Sequence, residues 1–177
     1  MTFVAIDSQA PCRYDIVPSP VGRLLLTSDG HALTGLYMLD AGARMPAGEC
    51  IHDSSVFTET AAELAEYFGG ERKEFTIPLA PAGTTFQLSV WLELTRIPYG
   101  STASYGDIAA TLGKSPAASR AVGLANGRNP ISILIPCHRV IGADGSLTGY
   151  GWGLDRKEWL LRHEGAMRSE DAMCPLW

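Results

Sequence analysis

The 177-residue chain has no apolar run near the ~20 residues needed to cross a bilayer, so no membrane span is expected. Its start, Met1-Thr2-Phe3 leading into Asp7, lacks the basic opening and apolar core of a secretory signal, and a reducing cytoplasmic setting is the expectation. CxxC pairs are absent too. Cys12, Cys50, Cys137 and Cys174 lie far apart, which fits neither a disulfide framework nor a zinc ribbon. Cys12, Cys50, His31 and His52 could gather round a metal, but their spacings match no ligand pattern, so none is expected. No internal repeat is present. What the chain does have is an apolar fraction of 46% and enough length for one large or two small packed domains.

Positive charge is scarce overall, with a formal net charge of −5, and this alone argues against a nucleic-acid binder. The distribution changes that reading. Residues 1 to 85 hold five Arg/Lys against eleven Asp/Glu, residues 86 to 165 hold eight against six, and residues 166 to 177 hold one against two. Between Asp107 and Asp144 lie Lys114, Arg120, Arg128 and Arg139 with no acid, a face where phosphates could bind or a merely solvated helix surface.

The first third reads as a small sheet: Tyr14 to Val17, Arg23 to Thr27 and Ala32 to Leu39, separated by Pro18-Ser19-Pro20-Val21-Gly22 and Asp29-Gly30 turns. Residues 40 to 53 read as a loop. A helix is predicted from Phe57 to Phe68, capped by Ser54 or Ser55, with Phe57, Ala61, Leu64, Ala65 and Phe68 inward and Gly69-Gly70 ending it. Phe75 to Leu79 reads as another strand, and Pro78, Pro81 and Gly83 mark a boundary. Beyond it a helix is predicted from Phe86 to Arg96, capped by Thr84 or Thr85. Ser104 caps a short helix, Tyr105 to Leu112. Gly113-Lys114-Ser115 then turns into a second, Ala117 to Asn126, with Pro116 at its first position. Two short helices across a tight turn suggest a helix-turn-helix. The second is thin, carrying Ala117, Ala118, Ala121, Gly123 and Ala125, so it could approach a groove closely or simply pack tightly. A last amphipathic helix is predicted over Arg156 to Glu164, and the final twelve residues read as a tail.

The stretch Ile133-Leu134-Ile135-Pro136-Cys137-His138-Arg139 reads as a buried strand ending at a proline, which delivers a thiol beside an imidazole. A free cysteine is mostly thiol at neutral pH, so attack on carbon needs a base, and His138 can be that base directly or through water. Of the acids near the last helix, Asp155, Glu158 and Glu164, the last is the choice for orienting the imidazole. Asn129-Pro130 lies where an amide could bridge the thin helix and the reactive strand, or form a plain turn. On these residues alone a thiol hydrolase and a helix-turn-helix regulator with an inert cysteine remain alternatives.

Further residues carry more specific information. Pro136-Cys137-His138-Arg139-Val140, with Asn129-Pro130, Ser104-Tyr105 and Arg120-Ala121-Val122-Gly123 before it and Arg156 to Gly165 after it, closely resembles the O6-alkylguanine-DNA alkyltransferases, the methylated-DNA-protein-cysteine methyltransferases. The likeness runs from about Phe86 to Gly165. Over residues 1 to 85 it rests on Ser19-Pro20-Val21-Gly22 and Tyr67-Phe68.

The resemblance implies an α+β fold: a ribonuclease-H-like small sheet with a helix over residues 1–82, a winged-helix-like helix-turn-helix domain over 83–166, and a tail over 167–177. It implies direct reversal of O6-alkylguanine, possible action on O4-methylthymine, and a single turnover, because a thioether on Cys137 is not undone by ordinary cellular steps. His138 would take the thiol proton, Glu164 would hold His138, and Asn129 would brace the network. Tyr105 would contact the target nucleotide, Arg120 would fill the vacated stack, and Ser104, Ala121, Gly123 and Arg128 would lie against DNA in the minor groove. Val140, Tyr150, Gly151, Trp152 and Ser132 would line the base pocket, where the Trp152 indole is expected to disfavour large alkyl groups. The implied partner is double-stranded DNA, bound by a monomer with no cofactor and no metal.

Overall fold

The computed structural model of the protein describes residues 3–39 and 49–167. Three strands, β1 (Cys12–Val17), β2 (Leu24–Ser28) and β3 (Leu33–Met38), form an antiparallel meander because turn-formers separate apolar runs. A short β4 (Cys50–His52) adds to β1 in parallel, giving the order β3-β2-β1-β4. It lies in the stretch read as loop; residues 40–48 of that stretch fall outside the described residues. In the β1–β4 register Cys12 stands opposite Cys50, and the two form a disulfide. This corrects the expectation of unpaired cysteines: spacing along the chain carries no information about two strands brought side by side by a sheet.

A 3-10 turn, Ser54–Phe57, leads into α1 (Thr58–Phe68). Its cap is Asp53 rather than either serine, the Asp53 carboxylate accepting from the Ser55 amide. The buried face of α1 carries Thr60, Glu63, Leu64 and Tyr67, rotated from the predicted one so that the tyrosine points inward. Phe75 to Leu79 is not a strand. Leu79 alone makes bridges there, because Pro78 has no amide hydrogen and the Thr76 amide is taken by the Glu63 carboxylate.

The second part begins with α2 (Thr85–Leu94), where Thr84 and Gln87 make reciprocal capping hydrogen bonds. Then follow α3 (Tyr105–Thr111), a 3-10 turn Pro116–Ala118, α4 (Ser119–Gly127) and α5 (Leu154–His163). The Ser115 side chain makes no cap, so α4 begins later than predicted. Two-residue strands β5 (Ala103–Ser104) and β6 (Val140–Ile141) pair in parallel beside the helix-turn-helix formed by α3 and α4.

One apolar core runs through both parts and includes Leu24, Leu36, Tyr67, Trp91, Val122, Ile135 and Leu160. The Trp91 indole N–H donates to the Ala125 carbonyl at 2.8 Å and ties α2 to α4. The Leu36 amide donates to the Pro130 carbonyl at 2.8 Å, and the Ser132 amide returns to the Leu36 carbonyl, so the segment leading to Cys137 runs along the edge of β3.

Candidate active site and nucleic-acid interface

The segment before Pro136 is not the strand that its residues suggested. Ile131 to Ile135 close a tight turn through Ile135 N to Ile131 O and Leu134 N to Ser132 O, with Ile133 at φ 73°. All five residues are buried, and an apolar run enclosed on every side lacks the alternation that would separate strand from turn. Asn129 holds this turn from both ends: its Nδ2 donates to the Ile135 carbonyl at 2.8 Å and its Oδ1 accepts from the Ile131 amide at 3.0 Å. Pro136 then opens a 3-10 turn, Cys137–Arg139, which places thiol and imidazole on successive residues.

Cys137 is buried and is the free cysteine among the described residues. Burial pushes its thiol pKa up, against lowering contributions from the Asn129 and Ser132 side chains and the Lys157 charge. The resting residue is therefore a thiol, which a nearby base would have to deprotonate before it could attack carbon. His138 is fully enclosed, and burial pushes its pKa below the ordinary value despite the Glu164 carboxylate. Its Nε2 lies 2.8 Å from Glu164 Oε1. Because a carboxylate can only accept, Nε2 carries the hydrogen and Nδ1 is left as the basic nitrogen.

Glu164 sits just past the end of α5 and is the centre of a buried network. It accepts from Tyr67 Oη at 2.7 Å, and from Arg139 Nε and Nη2 at 2.8 and 3.0 Å. Burial alone would raise its pKa; the bonds from His138 and Arg139 outweigh that and hold it well below the usual carboxylate range. Arg139, counted on the sequence towards a positive face, is thus buried and paired inside.

Cys137 opens onto a cavity of about 140 Å³ shared with Asn126, Asn129, Tyr150, Gly151 and Trp152. Ser132 belongs to its wall indirectly, its Oγ accepting from Trp152 Nε1 at 2.6 Å. Val140 does not line it; its carbonyl accepts from Lys157 Nζ at 2.5 Å. Gly149 borders this cavity and also a second, open, mostly apolar surface formed by Tyr105, Ser119, Arg120, Gly123, Leu124 and Thr148. Gly149 has φ 56°, and a Cβ there would come within 3.2 Å of the Tyr105 hydroxyl, so a side chain would press on the junction of the two. Tyr105 donates to the Thr148 carbonyl at 3.1 Å. Ala121 and Arg128 are exposed on and just after α4, whereas the Ser104 hydroxyl is used in capping α3, accepting from the Asp107 amide at 3.1 Å.

Three participants were given no site role in the sequence reading. Tyr67 reaches Glu164 from 97 residues away, which no local pattern signals. Asn126 reads as a helix-end amide until the fold sets it against Cys137. Lys157 does leave a signal, since it occupies an inward position of α5, one helical turn before Leu160 and Leu161. It is fully buried, and burial lowers its pKa to about 8. Among the described residues no cluster of metal-ligating side chains occurs, and no helix is long and apolar enough to cross a membrane.

Comparison with known proteins agrees over both parts. Residues 85–166 match the family model described as 6-O-methylguanine DNA methyltransferase, DNA binding domain, and residues 12–81 match the ribonuclease-like domain of the same enzyme. A Methanosarcina barkeri protein named methylated-DNA–protein-cysteine methyltransferase is 52% identical over 153 residues, 85% of this chain and 96% of the relative. A Mycobacterium leprae protein of that name is 51% identical over 146 residues, 82% of this chain and 88% of the relative. The crystal structure of Mycobacterium tuberculosis O6-methylguanine methyltransferase superposes with a TM-score of 0.82 at 47% identity, covering 88% of this chain and 93% of that one. That of Mycobacterium tuberculosis OGT in complex with DNA superposes with a TM-score of 0.81 at 48% identity, over 87% and 93%. With a buried thiol, a carboxylate-held imidazole and a helix-turn-helix in one fold, and with both family models matched in order, the chain belongs to the methylated-DNA–protein-cysteine methyltransferase family.

Proposed function

We propose that the protein repairs O6-alkylguanine in duplex DNA by moving the alkyl group onto its own Cys137. The observation that carries this reading is the buried free thiol of Cys137 on a small cavity that adjoins the exposed Arg120 face of α4. A base inside a duplex is out of reach of such a thiol, so the nucleotide must be turned out of the stack, at a cost of a few kcal/mol that is smaller for a badly paired base. In the transfer, Sγ forms a bond to the alkyl carbon as the bond from that carbon to O6 breaks with its electron pair going to the purine. The thiol proton passes to Nδ1 of His138, directly or through water, and the purine takes up a proton to leave as guanine. Atoms and charge balance without a cofactor, and the thioether ends the protein's activity after one turnover.

Glu164 holds the imidazole, and Asn129 braces the turn that presents the thiol. Tyr105, Ser104, Arg120, Ala121, Gly123 and Arg128 form the DNA-facing surface, with the thin α4 in the minor groove and Arg120 in the vacated stack. Tyr150, Gly151 and Trp152 bound the base cavity, supported by Ser132 and the Val140 segment. The N-terminal domain spans residues 1–82, the reactive domain 83–166 and the tail 167–177. The setting is the cytoplasm, where the Cys12–Cys50 bridge would be exposed to reduction.

Intact mass after incubation with duplex DNA carrying O6-methylguanine is the test. The expected result is a gain of one methylene, absent in Cys137→Ser, with guanine restored. Repeated turnover without a mass gain would point to a thiol hydrolase, and unchanged mass with the lesion intact would remove the repair reading.

A further inference from the structure

Among the described residues three buried side-chain polar atoms have no protein partner: His138 Nδ1, Tyr150 Oη and Asn126 Oδ1. The first is the base of the proposed transfer. The other two belong to residues on the cavity beside Cys137. Asn126 is 2% exposed and lies in the last turn of α4. Its Nδ2 donates to the Cys137 carbonyl at 3.3 Å, which settles which end of the amide is oxygen, since a flipped amide would set two carbonyl oxygens against each other. Oδ1 is therefore a buried acceptor with no donor, on a residue of the cavity wall, where buried polar atoms are normally satisfied.

We propose that Asn126 reads the extruded base: its Oδ1 accepts a hydrogen bond from the exocyclic 2-amino group of an O6-alkylated guanine. The inference rests on the alkyl-transfer reading and adds a specificity-determining residue to it. A base without that amino group would leave the oxygen unpaired in a water-poor site, a penalty that falls on the wrong base and not on guanine. O6-methylhypoxanthine has the same ring and methyl group without the amine. O4-methylthymine likewise offers no amino donor, so it too should react slowly. If Asn126 served only to hold the Cys137 carbonyl, its loss would slow every substrate by the same factor.

The experiment compares single-turnover rates of adduct formation with duplexes containing O6-methylguanine or O6-methylhypoxanthine, for the wild type, Asn126→Ala and Asn126→Leu. The two variants differ in volume, one opening the site and the other filling it, and thermal unfolding identifies which is folded. The wild type is expected to favour the guanine substrate by about ten-fold or more, as expected for one buried acceptor left unpaired. In a folded variant the ratio should collapse towards unity, chiefly through a slower reaction with O6-methylguanine. Equal wild-type rates, or a preference unchanged in the variants, would overturn the role of Asn126 while leaving alkyl transfer intact. Absence of adduct from either duplex in the wild type would remove alkyl transfer itself and this inference with it.

Discussion

At the scale of single residues, Glu164 joins the chemistry to the stability of the site. Its oxygens accept from a tyrosine, a histidine and an arginine, all enclosed, so removing its charge leaves the Arg139 guanidinium buried without a counter-ion. Glu164→Gln should cost roughly 3 kcal/mol in urea unfolding, as is usual when one member of a buried ion pair is lost. The carboxyl pKa is lower in the folded than in the unfolded chain, so its contribution is complete above the ordinary carboxylate value and is lost as pH falls through the acid range. The depressed His138 acts in the same sense at higher pH, because below about 6.5 the unfolded imidazole takes up a proton that the folded one resists. Urea midpoints of the wild type should therefore drop from pH 7 to pH 4, and the drop should be shallower in Glu164→Gln. An identical slope in both proteins would show that the network does not carry the pH dependence. The contact between His138 and Glu164 was legible in the sequence because an imidazole set beside a thiol needs a carboxylate to fix its tautomer. Tyr67 was not, because its place beside Glu164 depends on how α1 and α5 are brought together.

At the scale of elements, the caps of α2 and α3 were readable and the segments without regular structure were not. Ser104 caps α3 and Thr84 caps α2, each with a reciprocal bond from the residue three further on. Because the Ser104 hydroxyl is engaged in this way, Ser104→Ala should lower stability by about 1 kcal/mol in denaturant titration, the usual worth of a cap. It should also weaken DNA binding through a frayed α3 and displaced Tyr105; full stability in that variant would show the cap to be idle. The Phe75 to Leu79 and Ile133 to Ile135 segments misled for different reasons. The first alternates exposed Thr76 and Pro78 with buried Ile77 and Leu79, as a strand would, whereas the second is buried throughout, which suits a strand or a turn alike. What decided between them was the supply of backbone partners: Asn129 satisfies the turn before Cys137, and Glu63 takes the amide that a strand through Thr76 would have needed.

At the scale of the whole molecule, the acidic N-terminal part is a structural component of the reactive site. His163 meets the Tyr67 carbonyl at 2.8 Å, and the Arg156 side chain donates to the Val21 carbonyl at 2.9 Å, alongside the contact between Tyr67 and Glu164. The Cys12–Cys50 bridge closes a segment of 38 residues within that part. By loop-closure entropy a loop of that size contributes about 3–4 kcal/mol, so reductant should lower the thermal midpoint of the wild type and leave Cys12→Ser unaffected. Alkylation of both cysteines in the untreated, denatured protein would show that the bridge is not formed. The sequence by itself determined the three-strand meander, the order of the helices, the caps of α2 and α3, and the pairing of His138 with Glu164. These follow from local periodicity, side-chain capping and the intrinsic chemistry of neighbouring groups. Only the tertiary structure decided which cysteines pair, that Arg139 turns inward, that Lys157 is buried, and that Asn126 joins the cavity wall with its amide oxygen unpaired. Each of those depends on distances between segments far apart in the chain, which the packing of one shared core fixes and no local pattern encodes.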